Sequence, residues 1–175
     1  NYDWDGGSDL RERASMNGTE ATVALSTNEY DAGPAGESAA VVLDPGTGYS
    51  ESDRAQIASF VSQGGTLVVA AETNESSAFL ADLGLTVQID GRPVRDDQYN
   101  LNAAAFPQAI NVSSHPVVDG VDALTLNHGT VLDPGAATPL VNTSTVAYLD
   151  ENRNEELDAT ERLAARPVAA VQQVG

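Results

Sequence analysis

Residues 39–71, AAVVLDPGTGYSESDRAQIASFVSQGGTLVVAA, constrain the fold of this chain more than any other stretch. Two apolar runs, AAVVL and TLVVAA, flank a segment in which Ile57, Phe60 and Val61 recur at helical spacing. Ser50 or Ser52 is placed to cap that helix, and Glu51 and Asp53 fall in its first turn, where the helix dipole favours acids. Gly64 and Gly65 end it. Strand, helix and strand in this order make a βαβ unit, whose crossover is expected to be right-handed. Neither apolar run alternates with polar residues, so each strand is expected to be covered on both faces, as parallel strands are.

The flanking chain reads less sharply. Residues 1–7, NYDWDGG, form a polar loop that Trp4 can anchor. Ser8 caps a short helix through Met16 with Leu10, Ala14 and Ser15 on its inner side, and Asn17 and Gly18 stop it. Residues 21–25, ATVAL, read as a strand, and residues 27–38 as an acidic surface connection. After the central unit, Ser76 or Ser77 opens a helix to about Asp82 with Phe79, Leu80 and Leu83 inward. Gly84 closes that helix, and residues 86–89 follow as a short strand. Residues 90–105 are a long irregular stretch that carries two of the eight arginines, Arg92 and Arg95. Loops of that length are functional or mobile more often than idle. Then come AINVS, LTLN, TVLDP, TPLVN and TVAYL, short β-type runs between Pro and Gly turns, and a final strand in RPVAAVQQV. They predict a second half that is more antiparallel than the first.

Charge narrows the setting. There are 26 acids against eight bases, a net charge of −18, and every base is Arg. Such a surface repels itself in ordinary buffer, and concentrated salt screens the repulsion, as suits a halophilic archaeal protein. An acidic protein with cationic partners is the rival reading. No basic patch exists to release counterions from phosphates, which disfavours nucleic acid. Without cysteine there is no disulfide, thiolate nucleophile or Cys-bound metal. The chain starts in a polar loop and stops as a strand gets under way, and it reads as a portion excised from something longer. Four Asn-x-Ser/Thr sequons, at Asn17, Asn74, Asn111 and Asn142, lean towards an exported domain.

The sharpest local signal is DENRNEELDATE, residues 150–161. Aligned to the twelve-residue calcium loop, Asp150, Asn152 and Asn154 take positions one, three and five. Glu156 gives a backbone carbonyl at seven, Asp158 stands at nine and Glu161 at twelve, with Leu157 as the apolar tie to the core. Calcium takes six to eight hard oxygens, and this spacing wraps them round one point. Position six departs from the pattern, because Glu155 replaces the usual Gly and a positive φ there costs on the order of 1 kcal/mol. In so acidic a chain, a merely hydrated acidic loop is the competing interpretation.

Other motifs carry less. Asp44-Pro45-Gly46-Thr47-Gly48 precedes a helix but lacks the spacing and lysine of a phosphate loop, and Asp44, Glu51 and Asp53 would repel an anion, so it reads as a structural turn. His115 and His128 have no paired ligand spacing and read as turn or core histidines. No G-x-S-x-G elbow or H-E-x-x-H is present.

Taken together, GGSDLRERA, SESDRAQIASFVSQGGTLVVA, DGRPVRDDQ, HPVVDGVDALTLNHGT and VAYLDENRNEELD resemble haloarchaeal members of the Domain of Unknown Function 4350 family. The resemblance spans most of the chain and implies a fold similar to class I glutamine amidotransferases. That means one α/β domain over residues 1–175, a mostly parallel flavodoxin-like three-layer sandwich with a more antiparallel C-terminal part. It also implies an address beside membrane segments, with any membrane contact made through segments outside this chain. True amidotransferases carry a cysteine on the turn after a central strand. The matching turn here is Glu72-Thr73-Asn74-Glu75, so glutamine hydrolysis by that route is excluded. Glu72, Thr73 and Asn74 still occupy the carboxyl end of a parallel strand, the usual ligand position in open α/β sheets. The expected function is a non-catalytic extracytoplasmic binding or assembly module with a structural calcium loop and an unidentified protein or small-molecule partner. The alternative is a hydrolase or sugar-processing enzyme built on Glu72, Asp44 and His128.

Overall fold

A computed structural model describes residues 8–16, 18–46 and 48–174. The Trp4 loop, the Asn17 sequon and helix stop, and Thr47 of the turn before the central helix lie outside the described residues. Helix α1 is Ser8–Met16, strand β1 Ala39–Leu43, helix α2 Glu51–Ser62, strand β2 Thr66–Ala70 and helix α3 Ser76–Asp82. Nine further strands follow β1 and β2 among the described residues, each two to five residues long.

The central unit forms as its pattern dictates. Strands β1 and β2 pair in parallel from Ala39 opposite Thr66 to Leu43 opposite Ala70. Ser50 caps α2 by accepting from the Asp53 N–H, and Asp53 returns a bond to the Ser50 N–H, a reciprocal box that satisfies two end donors. At the other end Gly64 takes a φ of 96°, which a side chain would resist, and Gly65 passes tightly against the Phe60 ring. Ile57, Phe79, Leu80 and Leu83 bury against Val42 and Ile89 to make the first core.

The parallel sandwich is not what the chain builds. β1–β2 is the single parallel pair among the described residues, and the remaining ladders are antiparallel. Nor is that pair covered on both faces. Val42 is 3% exposed, whereas Val41, Leu43 and Val68 on the other face are 44%, 54% and 46% exposed. The segments that would widen the sheet go elsewhere or form no ladder: residues 21–25 are irregular, and β3 (Gln88–Ile89) pairs with β8 (Leu132–Asp133) instead of β2. Helix α1 also differs from its reading, since Leu10 and Ser15 are exposed and Ala14 is half-buried.

The physical reason lies in the connections. A parallel neighbour needs a crossover of a dozen or more residues, whereas strands of two residues between Pro and Gly turns return directly and pair antiparallel. So β4 (Val94–Arg95) pairs with β10 (Tyr148–Leu149), and β5 (Gln108–Ala109) with β7 (Leu124–Thr125). Strands β11 (Pro167–Val171), β9 (Thr138–Asn142) and β6 (Asn111–Val112) form a three-stranded sheet in that order. Two further cores lie beneath them, one of Val94, Val131, Ala147 and Leu149, the other of Ala109, Val118, Leu140 and Val141. Val168 touches both.

Candidate functional site

Strand β10 delivers Asp150 to the base of the loop at residues 150–161, and its antiparallel register sets Tyr148 opposite Arg95. The Arg95 Nε donates to Asp150 Oδ2 at 2.6 Å, and a second Arg95 nitrogen reaches Glu155 at 3.3 Å. Asp150 is fully buried. Burial pushes its carboxyl up, but Arg95 and the Glu155 and Asn154 N–H groups outweigh that and hold it below the usual carboxylate range.

The rest of the loop is wound round its own oxygens. Asp150 Oδ1 accepts from the Asn154 N–H at 3.0 Å, and Oδ2 from the Glu155 N–H at 3.1 Å. Asn152 Oδ1 accepts from the Asn154 N–H and Asn154 Oδ1 from the Glu156 N–H. Both Asn amides donate to Asp158 Oδ2, at 2.7 and 3.0 Å. Glu161 folds back so that its two oxygens accept from the Glu151 and Asp158 N–H groups. Glu155 takes a φ of 70°, the left-handed turn that position six requires, without a glycine. Leu157 departs from its expected role as a tie to the core, because it is exposed. Arg92 clamps the outside by pairing with Asp90 and Glu151, and Arg153 donates to the Gly91 carbonyl.

These bonds join Asn152 and Asn154 to Asp158, tie Asp150 and Glu161 to backbone N–H groups of the same loop, and have Glu156 donate its N–H to Asn154. Among the described residues no three His, Cys, Asp or Glu side chains are gathered as a metal-binding group. The chemistry offered is that of carboxylate and amide oxygens, the ligand type of hard cations.

The strand-end residues separate into two places. Asp44, with a φ of 43°, donates its N–H to the Ala70 carbonyl, and its carboxylate accepts from Thr73 at 3.5 Å and Ser76 at 3.4 Å. Glu72 and Asn74 are exposed beside them, and Gly91 packs on the Asn74 backbone. His128 lies in the antiparallel half, where its N–H bonds the Ala105 carbonyl and its ring meets the Phe106 ring edge-on at 5.2 Å. Among the described residues no contact joins His128 to Asp44 or Glu72. His115 caps a short turn by accepting from the Val117 N–H.

Sequence reasoning missed a buried polar cluster beside the loop. Asp96 accepts from the Gln98 and Tyr99 N–H groups and from Ser144 Oγ at 2.5 Å. Tyr148 is buried against this region, and its hydroxyl has no partner. The available signal was the placing of two of eight arginines in one irregular stretch, since a guanidinium there needs a carboxylate to meet it.

A family model described as a domain of unknown function (DUF4350) matches residues 1–175. No curated protein and no solved structure matches. Among the described residues no helix is long and apolar enough to cross a membrane.

Proposed function

We propose, from the premise that the chain belongs to the Domain of Unknown Function 4350 family, that it is a non-catalytic extracytoplasmic binding or assembly module of a haloarchaeal envelope protein. Its loop at residues 150–161 takes one structural calcium ion. The carrying observation is the loop's winding: Asp150, Asn152 and Asn154 each accept from backbone N–H groups two to five residues ahead, while Glu161 closes the ring from behind. Asp150 Oδ1 and the Asp158 and Glu161 carboxylates supply the negative charge that a hard cation needs, and Arg95 occupies the other Asp150 oxygen. The net charge of −18 and the sequons at Asn74, Asn111 and Asn142 support the saline, exported setting.

Calorimetric titration of calcium into chelator-treated protein in molar potassium chloride tests this. One site is expected, with a rise in unfolding midpoint; at a hundredfold excess over Kd the added stability is about 2.7 kcal/mol. The double variant Asp158→Asn, Glu161→Gln should lose both. No heat and no midpoint shift in the native chain would remove the calcium reading.

A further inference from the structure

A cavity of about 650 Å3 lies between the start of α3, β3, β8 and the start of β11. That volume falls within the range of small-molecule sites. Its wall carries four charged side chains, Asp90, Arg92, Asp133 and Arg166. Three of them are already engaged. Arg92 grips both oxygens of Asp90 at 2.6 Å and sends its remaining arm to Glu151, while Asp133 accepts from the Gly135 N–H.

Arg166 is different. Its guanidinium makes one long bond, 3.3 Å to the Arg162 carbonyl, and its Nε is buried with no hydrogen-bond partner. A guanidinium has five N–H donors in a planar fork, and a buried donor left unmet is costly. Asp90 on the same wall is near enough for Arg166 to lower its carboxyl, yet the two form no ion pair, and among the described residues Arg166 is the one arginine with a buried nitrogen that lacks a partner. The planar fork fits a carboxylate through two parallel bonds. A phosphate dianion would meet more repulsion from Asp90 and Asp133 than a carboxylate monoanion. The Asn74 and Gln88 side chains reach the same cavity, and Ile89 and Leu149 give it an apolar patch.

We infer that this cavity binds a small organic carboxylate, with its head on Arg166 and its body across the Ile89–Leu149 patch and the Asn74 and Gln88 amides. The site is separate from the calcium loop and is tested with calcium removed, so either reading can fail alone.

The experiment follows the Arg166 Nε–Hε resonance of the 15N-labelled chain during titration with acetate, glucuronate, glucose and inorganic phosphate at fixed ionic strength. Saturable shifts are expected with acetate and glucuronate, none with glucose, and at least tenfold weaker binding of phosphate. Arg166→Lys should keep the charge but weaken glucuronate at least tenfold, read by calorimetry. The surface changes Asn74→Ala and Gln88→Ala, which leave the fold's core untouched, should weaken glucuronate and spare acetate. Overturning results are the absence of a saturable shift with both carboxylates, an equal response to glucose, or undiminished glucuronate binding in Arg166→Lys.

Discussion

In the β1–α2–β2 unit and the α3 helix after it the buried side chains include Val42, Ile57, Phe60 and Phe79, whereas around residues 95–96 and 143–150 they include Arg95, Asp96, Thr143, Ser144 and Asp150. The first region is held by apolar surface removed from water, a force that ignores pH and strengthens in salting-out electrolytes. The second is held by charges and hydrogen bonds in a place where water cannot replace a lost partner. One molecule therefore carries two kinds of vulnerability. Removing a methyl group harms the first by degrees, and removing one carboxylate harms the second at once.

The largest effect should come from Asp150→Ala. It strands the Arg95 guanidinium, whose side chain is 7% exposed, and breaking one partner of a buried pair costs about 3–5 kcal/mol. Glu155 is exposed and makes only the longer contact, so it cannot take over. The denaturant midpoint in calcium-free buffer reads the loss. Arg95→Met with Asp150→Leu should recover much of it, because an apolar pair of similar volume leaves no charge behind. Failure of the single variant to destabilise would show that the loop base is wetter than its geometry. Ile57→Ala, fully buried in the other region, should follow at about 2–4 kcal/mol through transfer and cavity terms, with no dependence on pH.

A smaller effect separates the regions by pH. The carboxyls of Asp150 and Asp90 are both held below the ordinary value of 3.8. For Asp150 burial raises the value and the Arg95 bond with its neighbours more than reverses it; for Asp90 the Arg92 bond leads. A depressed carboxyl stabilises the fold above its unfolded value and loses that contribution as pH falls through the folded one. Stability should thus be flat from pH 7 to about 5 and fall below about 4. In Asp150→Ala the acid limb of the midpoint curve should be shallower than in the native chain.

The two regions were also unequally legible. Helix α2, its Ser50 cap and its Gly64 stop follow from residues adjacent in sequence, because capping and helical periodicity are local rules. Phe79, Leu80 and Leu83 fell inward as their spacing demanded. The hydrogen bonds of the loop at 150–161 are as local, joining residues within ten positions of one another. What could not be read was long-range pairing. Nothing in residues 21–25 announces that they stay out of the sheet, and nothing in Gln88 and Ile89 names Leu132 and Asp133 as partners. Arg95 and Asp150 lie 55 positions apart, and composition offered 26 acids from which to choose. An unalternating run such as AAVVL cannot state whether its second face is covered, because Ala and Val are tolerated on either side of a sheet. That ambiguity is where the expected sandwich failed.

The smallest effects test that failure directly. Ser50→Ala removes a cap that serves the Asp53 N–H and should cost about 1 kcal/mol, read at the thermal midpoint. Val68→Thr should cost less still, within about 0.5 kcal/mol, because Val68 stands on the open face of β2 and its new hydroxyl would meet water. The same change at Val42, on the covered face, places that hydroxyl among Ile57, Phe79 and Leu80 and should cost about 1–3 kcal/mol. In a sheet packed on both sides the two substitutions would be equally harmful, since each would bury an unmet hydroxyl. A Val42-to-Val68 ratio well above one therefore measures the one-sidedness of the parallel pair, and a ratio near one would return the second layer to it.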